Sequence, residues 1–245
     1  MVELNTIYNE DCLVGMADIP DKSVDMILCD LPYGTTQNKW DSIIPLEPLW
    51  KQYERVIKDN GAIVLTAQTP FDKVLGVSNL KLLKYEWIWV KNRPTGFLNS
   101  KKMPLKKHEN VMVFCKQSPT YNPQGLVAVD RLIRGTTSSN YGKANTPMRQ
   151  DFTNYPVDVL EFDKDGYKVH PTQKPVALFE YLIKTYTNKN ETVLDNCMGS
   201  GTTAIAAINT GRNYIGYELD PDYHSIAEER IANHVAVADE KETIK

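Results

Sequence analysis

The run Asp30-Leu31-Pro32-Tyr33-Gly34 has the residue types of a site that grips an amino group. An amino nitrogen on an aromatic base is a poor nucleophile, because its lone pair is delocalised into the ring. A hydrogen-bond acceptor on each amino hydrogen pushes the nitrogen toward tetrahedral geometry and localises the pair. Asp30 can supply one acceptor through its carboxylate, and a backbone carbonyl at Leu31 or Pro32 can supply the other. Pro32 stiffens the turn. Tyr33 offers an aromatic face to a base that has left its stack, a contact worth roughly 1–3 kcal/mol. In isolation, four residues could equally be a strand running into a turn.

A second run, Val193 to Thr203, reads as strand, tight loop and helix, with Gly199-Ser200-Gly201 in the loop. Glycines there permit the turn and let a ligand approach the backbone. Glu218, at the end of the next strand, stands where a ribose-binding acid is expected in a dinucleotide fold. The same pattern would suit a nicotinamide enzyme. Asp195 argues for a different ligand: a carboxylate at the strand end repels a pyrophosphate and attracts an ammonium. S-adenosylmethionine carries an ammonium, a sulfonium and a ribose, and no phosphate. No Lys-Ser/Thr follows the glycines, so the loop is not a P-loop. Donor and acceptor together need only in-line displacement at about 3 Å, with no metal and no covalent enzyme intermediate.

The elements that must hold these residues are legible from periodicity. Short apolar runs at Val24 to Cys29, Ala62 to Ala67, Asn110 to Cys115, Thr192 to Asp195 and Tyr214 to Glu218 predict strands, and Tyr85 to Val90 alternates as strands do. Helical spacing predicts helices over Leu46 to Lys58, Pro175 to Thr185 and Thr202 to Asn209, with another opened by Asp220-Pro221. Strands alternating with helices imply a mostly parallel sheet covered on both faces. Ligands then sit beyond the carboxyl ends of the strands, where Asp30, Gly199 and Glu218 all fall. From 116 to 169, Pro, Gly, Ser, Thr and Asn are frequent and no period persists, so this stretch reads as an irregular insertion outside the sheet. The organisation expected is 1–115 and 170–238 as two halves of one domain, 116–169 inserted between them, and a fraying tail over 239–245.

The chain has 245 residues and a net charge of −3, which at first argues against a polyanionic partner. The charge is unevenly placed, however. Lys91 to Arg149 holds eleven Lys or Arg against only Glu109 and Asp130, a basic region on an acidic body. Lys91, Arg93, Lys101, Lys102, Lys106 and Lys107 are the candidate phosphate binders, and Arg131, Arg134 and Arg149 the candidates for base or phosphate contact. A solvated lysine-rich surface is the competing reading. Cys12, Cys29, Cys115 and Cys197 show no paired spacing, which favours reduced thiols over zinc or a disulfide framework. No apolar run reaches the roughly 18 residues of a membrane span, and the polar start lacks the order of a signal peptide; a cytoplasmic protein is expected.

With both ends in view, the chain resembles the amino-methylating DNA methyltransferases of bacteria and phages, and within them the permuted group whose catalytic segment precedes the cofactor loop. The marks are Asn9-Glu10-Asp11-Cys12, Asp30-Leu31-Pro32-Tyr33-Gly34, Trp89-Val90-Lys91-Asn92, His108-Glu109-Asn110-Val111, His170-Pro171-Thr172-Gln173-Lys174-Pro175 and the glycine loop. The resemblance implies a Rossmann-like α/β fold with a seven-stranded sheet and one antiparallel strand. It implies that Asp30, Pro32 and Tyr33 line the amino-group pocket and that Asp195, Gly199, Gly201, Thr202 and Glu218 hold S-adenosylmethionine, with Asp30 bordering both. Thr172 and Lys174 would lie near the methionine carboxylate and Asp11 near the adenosine. Target recognition would fall within 116–169.

Leu31 departs from the family's more frequent proline, at little cost if a backbone carbonyl does the work. Asp at the first position leans toward adenine N6, where cytosine N4 enzymes more often carry Ser. Glu109-Asn110-Val111 also occurs in ring-carbon cytosine enzymes, which need a Pro-Cys nucleophile that this chain lacks; the tripeptide is read as coincidence. Double-stranded DNA is the implied partner, with a second subunit and a restriction nuclease as further candidates. Open alternatives are an NAD-dependent oxidoreductase, a methyltransferase acting on RNA or on protein glutamine, and a non-catalytic DNA-binding relative.

Overall fold

A computed structural model describes residues 2–35, 41–133, 148–164 and 173–243. Two compact units emerge: residues 1–121 with 158–245, and residues 122–157.

The larger unit is built on one sheet. Its strands are β1 (Thr6–Tyr8), β2 (Val24–Asp30), β3 (Ile57–Ala67), β4 (Leu83–Thr95), β5 (Lys106–Phe114), β8 (Val159–Glu161), β9 (Thr192–Asp195) and β10 (Asn213–Tyr217). They lie in the order β1-β10-β9-β2-β3-β5-β4-β8. Every neighbouring pair is parallel except those made by β5, which runs against both β3 and β4. Chain order puts β2 well before β9, yet the two pair through Met26 and Ile27. The expected reaction and cofactor segments are therefore neighbours at one sheet edge.

Strand β2 shows why the sheet needs two covers. Ile27 and Cys29 pack with α2 (Leu46–Val56) and α3 (Phe71–Ser78) through Leu49, Trp50, Tyr53 and Leu75. Met26 and Leu28 point the other way, against α4 (Val176–Tyr186) and α5 (Thr202–Thr210) through Leu178, Leu182 and Ala206. Successive side chains on a strand alternate faces, so a strand apolar throughout must be buried on both sides. Two further helices are α1 (Cys12–Gly15) and α6 (Pro221–Thr243). Asp220 caps α6, its Oδ1 accepting from the amides of Asp222 and Tyr223 at 2.9 and 3.3 Å. The helix continues to Thr243, past the position where a tail was expected to fray. No helix among the described residues is long and apolar enough to cross a membrane.

Two expectations need correction. Among the described residues the sheet has eight strands, because β8 adds to the edge beside β4. Only Leu160 of its three residues is buried, and three residues carry no readable alternation. The stretch 116–169 is also less irregular than its composition suggested. The smaller unit contains an antiparallel pair, β6 (Val127–Ile133) and β7 (Met148–Thr153). Most β6 side chains are exposed, so no apolar pattern marks it.

Candidate active site

The carboxyl ends of β2, β9 and β10 open into one cleft of about 900 Å³, within the range of small-molecule sites. Asp30, Pro32 and Tyr33 line one end, and Asp11, Asp195, Gly199, Thr202 and Glu218 line the other; Lys174 also faces it.

At the first end, Asp30 closes β2 and is held on both oxygens. Oδ1 accepts from the Tyr33 hydroxyl at 2.8 Å and from the Thr66 hydroxyl on β3. Oδ2 accepts from Lys174 Nζ at 2.5 Å. Lys174 also reaches Glu109 Oε2 at 3.3 Å, and Glu109 Oε1 reaches Lys91 Nζ at 3.3 Å. Two buried lysines thus alternate with two carboxylates. Burial opposes the Lys174 charge, but Asp30 and Glu109 outweigh it and hold the ammonium above its ordinary range. Burial likewise opposes the Glu109 charge, and Lys174 and Lys91 overcome it and hold that carboxyl low. For Lys91 burial wins and lowers it. Burial, then Asp30 and Glu109, push the Tyr33 phenol up, so it stays a donor. Its ring stacks on Phe71 at 5.5 Å, with Lys174 Nζ 5.6 Å from its centroid. The turn after Tyr33 is fixed by buried Asp41, which accepts from the amides of Gly34 and Thr35 at 2.8 Å each.

At the second end, the loop after β9 closes on its own acids. Asp195 Oδ1 accepts from the Cys197 amide at 3.0 Å, and Oδ2 accepts from the Thr203 hydroxyl. Glu218 accepts from the Gly199 and Asp220 amides at 2.7 and 2.9 Å. Neither carboxylate forms an ion pair with a cation among the described residues. Burial pushes Asp195 up to about 6 and raises Glu218 as well. Asp11 caps α1 by accepting from the Leu13 amide at 2.7 Å.

Several sequence expectations shift here. Gly201 does not line the cleft: at φ +81°, a Cβ there would meet Ile231 at 3.3 Å and Ala227 at 3.4 Å. Its glycine therefore serves packing against α6. Lys174, expected near the methionine carboxylate, lines the cleft and sits on Asp30 and Glu109. Lys91 is 1% exposed and committed to Glu109, so it is no phosphate binder. An alternating strand cannot announce which of its polar residues points inward without a partner. Arg93, Lys101, Lys102 and Lys107 are exposed, and Lys106 is half-buried, donating to Gln68 Oε1 at 3.3 Å. In the smaller unit Arg131 binds Gln150, and Arg149 pairs with Asp130 and Asp151. Thr172 and Arg134 lie outside the described residues.

Sequence reasoning missed Thr66, Thr203 and, above all, Glu109. An acid and an amide leading directly into the apolar run of β5 were the available signal, because a buried carboxylate needs a partner.

A family model described as DNA methylase, covering N6 and N4 enzymes, matches residues 24–229. The chain belongs to the DNA methylase family. Among its relatives, the DNA adenine methyltransferase YhdJ of Escherichia coli K12 is 28% identical over 255 aligned residues, spanning 95% of this chain and 85% of that protein. Type II methyltransferase M.BglII of Bacillus subtilis is 30% identical, spanning 91% of this chain and 68% of its own. Of solved structures, the complex of M1.HpyAVI with SAM superposes with a TM-score of 0.64 at 25% identity, spanning 92% of this methylase and 98% of that chain. The cytosine-N4-specific PvuII DNA methyltransferase superposes at 0.69 with 16% identity, spanning 96% and 92%, and shares the fold. This methylase thus has the Rossmann-like fold of S-adenosylmethionine-dependent methyltransferases.

Proposed function

We propose that this methylase transfers a methyl group from S-adenosylmethionine to the N6 amino nitrogen of an adenine flipped out of double-stranded DNA. The observation that carries this is the single cleft joining the Asp30 turn to the Asp195–Glu218 loop.

The donor end fits S-adenosylmethionine by the chemistry of its acids. Asp195 is a buried carboxylate with neutral partners and an elevated pKa, so a ligand ammonium supplies the missing positive charge. Glu218, oriented by two amides, is placed to accept from ribose hydroxyls, with Asp11 beside it for the adenosine. A pyrophosphate would meet two carboxylates, which disfavours the nicotinamide alternative. Bound there, the donor supplies a methyl made electrophilic by its sulfonium.

At the other end, Asp30 accepts one amino hydrogen and the backbone after it accepts the second. Asp30 Oδ1 holds two protein donors and Oδ2 one, so a carboxylate with about four acceptor sites can take an entering amino hydrogen on Oδ2, while Lys174 keeps Glu109 as a second anchor. The amino nitrogen sheds one proton as it gains the methyl, and Asp30 is the acceptor within reach. The Tyr33 ring backs the base. Asp30 favours adenine; cytosine N4 is the alternative base. A second copy and a restriction nuclease reading the same site are the protein partners that this reading names.

The test is methyl transfer from labelled S-adenosylmethionine to unmethylated genomic DNA, read by nucleoside mass spectrometry. N6-methyladenine is expected from the wild type, falling about 100–1000-fold in Asp30→Ala with donor binding retained. N4-methylcytosine would correct the base. Donor binding without any modified nucleoside would overturn the proposal.

A further inference from the structure

The connection between β4 and β5 carries the two most exposed large hydrophobic side chains among the described residues. Leu98 is 100% exposed and Phe97 79%, and Met103 and Leu105 are exposed beside them. These side chains do not sit on a slack loop. Gly96 turns the chain at φ +88° into a 3₁₀ turn over Phe97–Asn99. Four backbone bonds then close it: Asn99 to Gly96 and Ser100 to Phe97, each 3.0 Å, and Lys102 and Met103 to Asn99 at 2.8 and 3.0 Å. The turn is self-supporting, and it presents apolar groups outward.

Its position and charge indicate what it meets. β4 is parallel to β2 through the intervening β3 and β5. The end of β4 therefore stands at the same sheet edge as Asp30, and Thr95 lines the cleft. Lys106 at the start of β5 reaches Gln68, another cleft residue. Arg93, Lys101, Lys102 and Lys107 flank the apolar tip on the surface, and no acid occurs between Glu86 and Glu109. An apolar protein partner would have to bury those cations, and a second copy meeting this patch with its own would oppose like with like. A polyanion with stacked apolar faces inside fits both features: phosphates outside for the cations, a base step inside for the tip.

We propose that the Gly96–Met103 turn is a wedge, with Phe97 and Leu98 entering the duplex at the base step that the extrahelical base vacates. Arg93, Lys101, Lys102 and Lys107 hold the adjoining phosphates. The inference rests on the DNA-methylating reading above. Its new content is that these two side chains help to extract the base and take no part in methyl transfer.

The experiment compares wild type with Phe97→Ala/Leu98→Ala. The methylated site is first mapped in genomic DNA treated with wild type. Two duplexes carrying it are then made, one fully paired and one with an abasic position opposite the target base. Both substituted side chains are solvent-exposed, so the fold is not at risk; unchanged thermal melting checks this. Single-turnover methylation of the paired duplex is expected to fall roughly tenfold or more, because the double variant must unstack the base unaided. On the abasic duplex it should stay within about twofold of wild type. Equal loss on both duplexes, or loss on neither, overturns the wedge. Loss accompanied by a dimer-to-monomer change in sedimentation would assign the tip to self-association and also overturn it. Absence of DNA methylation by the wild type itself would remove the underlying reading and the wedge together.

Discussion

The two ends of the cleft treat buried charge in opposite ways. Around Asp30 the protein supplies its own counterions: Lys174 bridges Asp30 and Glu109, and Lys91 completes the set. Around Asp195 and Glu218 there are two carboxylates, amide and hydroxyl donors, and no paired cation among the described residues. An end that receives a neutral base must be electrically complete before the substrate arrives. An end that receives a cationic donor can leave the positive charge to the ligand. The contrast makes base binding a matter of hydrogen bonds and donor binding a neutralisation.

The sharpest way to break the first half of this contrast is to remove its central cation. Lys174→Met leaves Asp30 and Glu109 facing each other in a buried site. Breaking a buried pair from one side typically costs about 3–5 kcal/mol. Denaturant unfolding should show a loss of that order, and methyl transfer should fall more than about 100-fold, because Asp30 loses its charged anchor and keeps only the Tyr33 and Thr66 hydroxyls. A variant as stable as wild type would mean that the network is not balanced as described.

The second half is tested by pH. Asp195 has a folded pKa near 6 against an ordinary value of 3.8, because burial disfavours its charge. Below the unfolded value both states are protonated and the group contributes nothing. Between about 4 and 6 the folded state holds the extra proton, so stability falls as pH rises. Above 6 the full cost remains, up to about 3 kcal/mol at 1.36 kcal/mol per pH unit. Asp195→Asn should therefore stabilise the ligand-free protein at neutral pH and flatten its stability between pH 4 and 6. It should also weaken S-adenosylmethionine roughly 10–100-fold by calorimetric titration. In the wild type, donor affinity should rise as pH passes up through about 6. A pH-independent affinity would detach Asp195 from the ammonium.

These ionic arrangements also mark where sequence reading stopped. The strands and helices that place Asp30, Asp195 and Glu218 were legible because burial on both faces writes continuous apolar runs, as in Val24 to Cys29. The two acids flanking the glycine loop were legible because a tight loop and a strand end fix their positions. Lys91 was found as a residue and misplaced as a contact. Lys91 sits in a stretch rich in Lys and Arg, and composition cannot distinguish an inward lysine from an outward one. Glu109 stands in one of the family marks, but its neighbours in sequence do not show where it points; only the register of β5 against β3 and β4 brings it to Lys91 and Lys174. Strands β6 and β8 carry too little buried surface to leave a pattern.

Glu109 gives a smaller, more specific test. Glu109→Gln keeps the shape and removes one charge, leaving Lys174 tied to Asp30 alone and Lys91 without its counterion. Methyl transfer should fall about tenfold in kcat with the KM for S-adenosylmethionine unchanged. The pH–rate profile should also change, since the substitution removes a buried carboxyl that Lys174 and Lys91 hold low. Glu109→Asp should recover part of the rate. A change confined to thermal stability, with the profile unmoved, would reduce Glu109 to a structural ion pair.

The least effect is expected where the same kind of pairing lies on the surface. Arg149 contacts Asp130 at 3.0 Å and Asp151 at 3.5 Å, with all three side chains largely exposed. Water and salt screen such pairs, which commonly contribute between nothing and about 1 kcal/mol. Arg149→Ala should leave unfolding within about 0.5 kcal/mol of wild type. DNA binding is the informative readout. If Arg149 exchanges its acids for a phosphate on the duplex, the log–log salt slope of binding should drop by about one. An unchanged slope would assign Arg149 to the β6–β7 pair alone and confine DNA contact to other residues, Arg93 and the Lys101–Lys107 group among them.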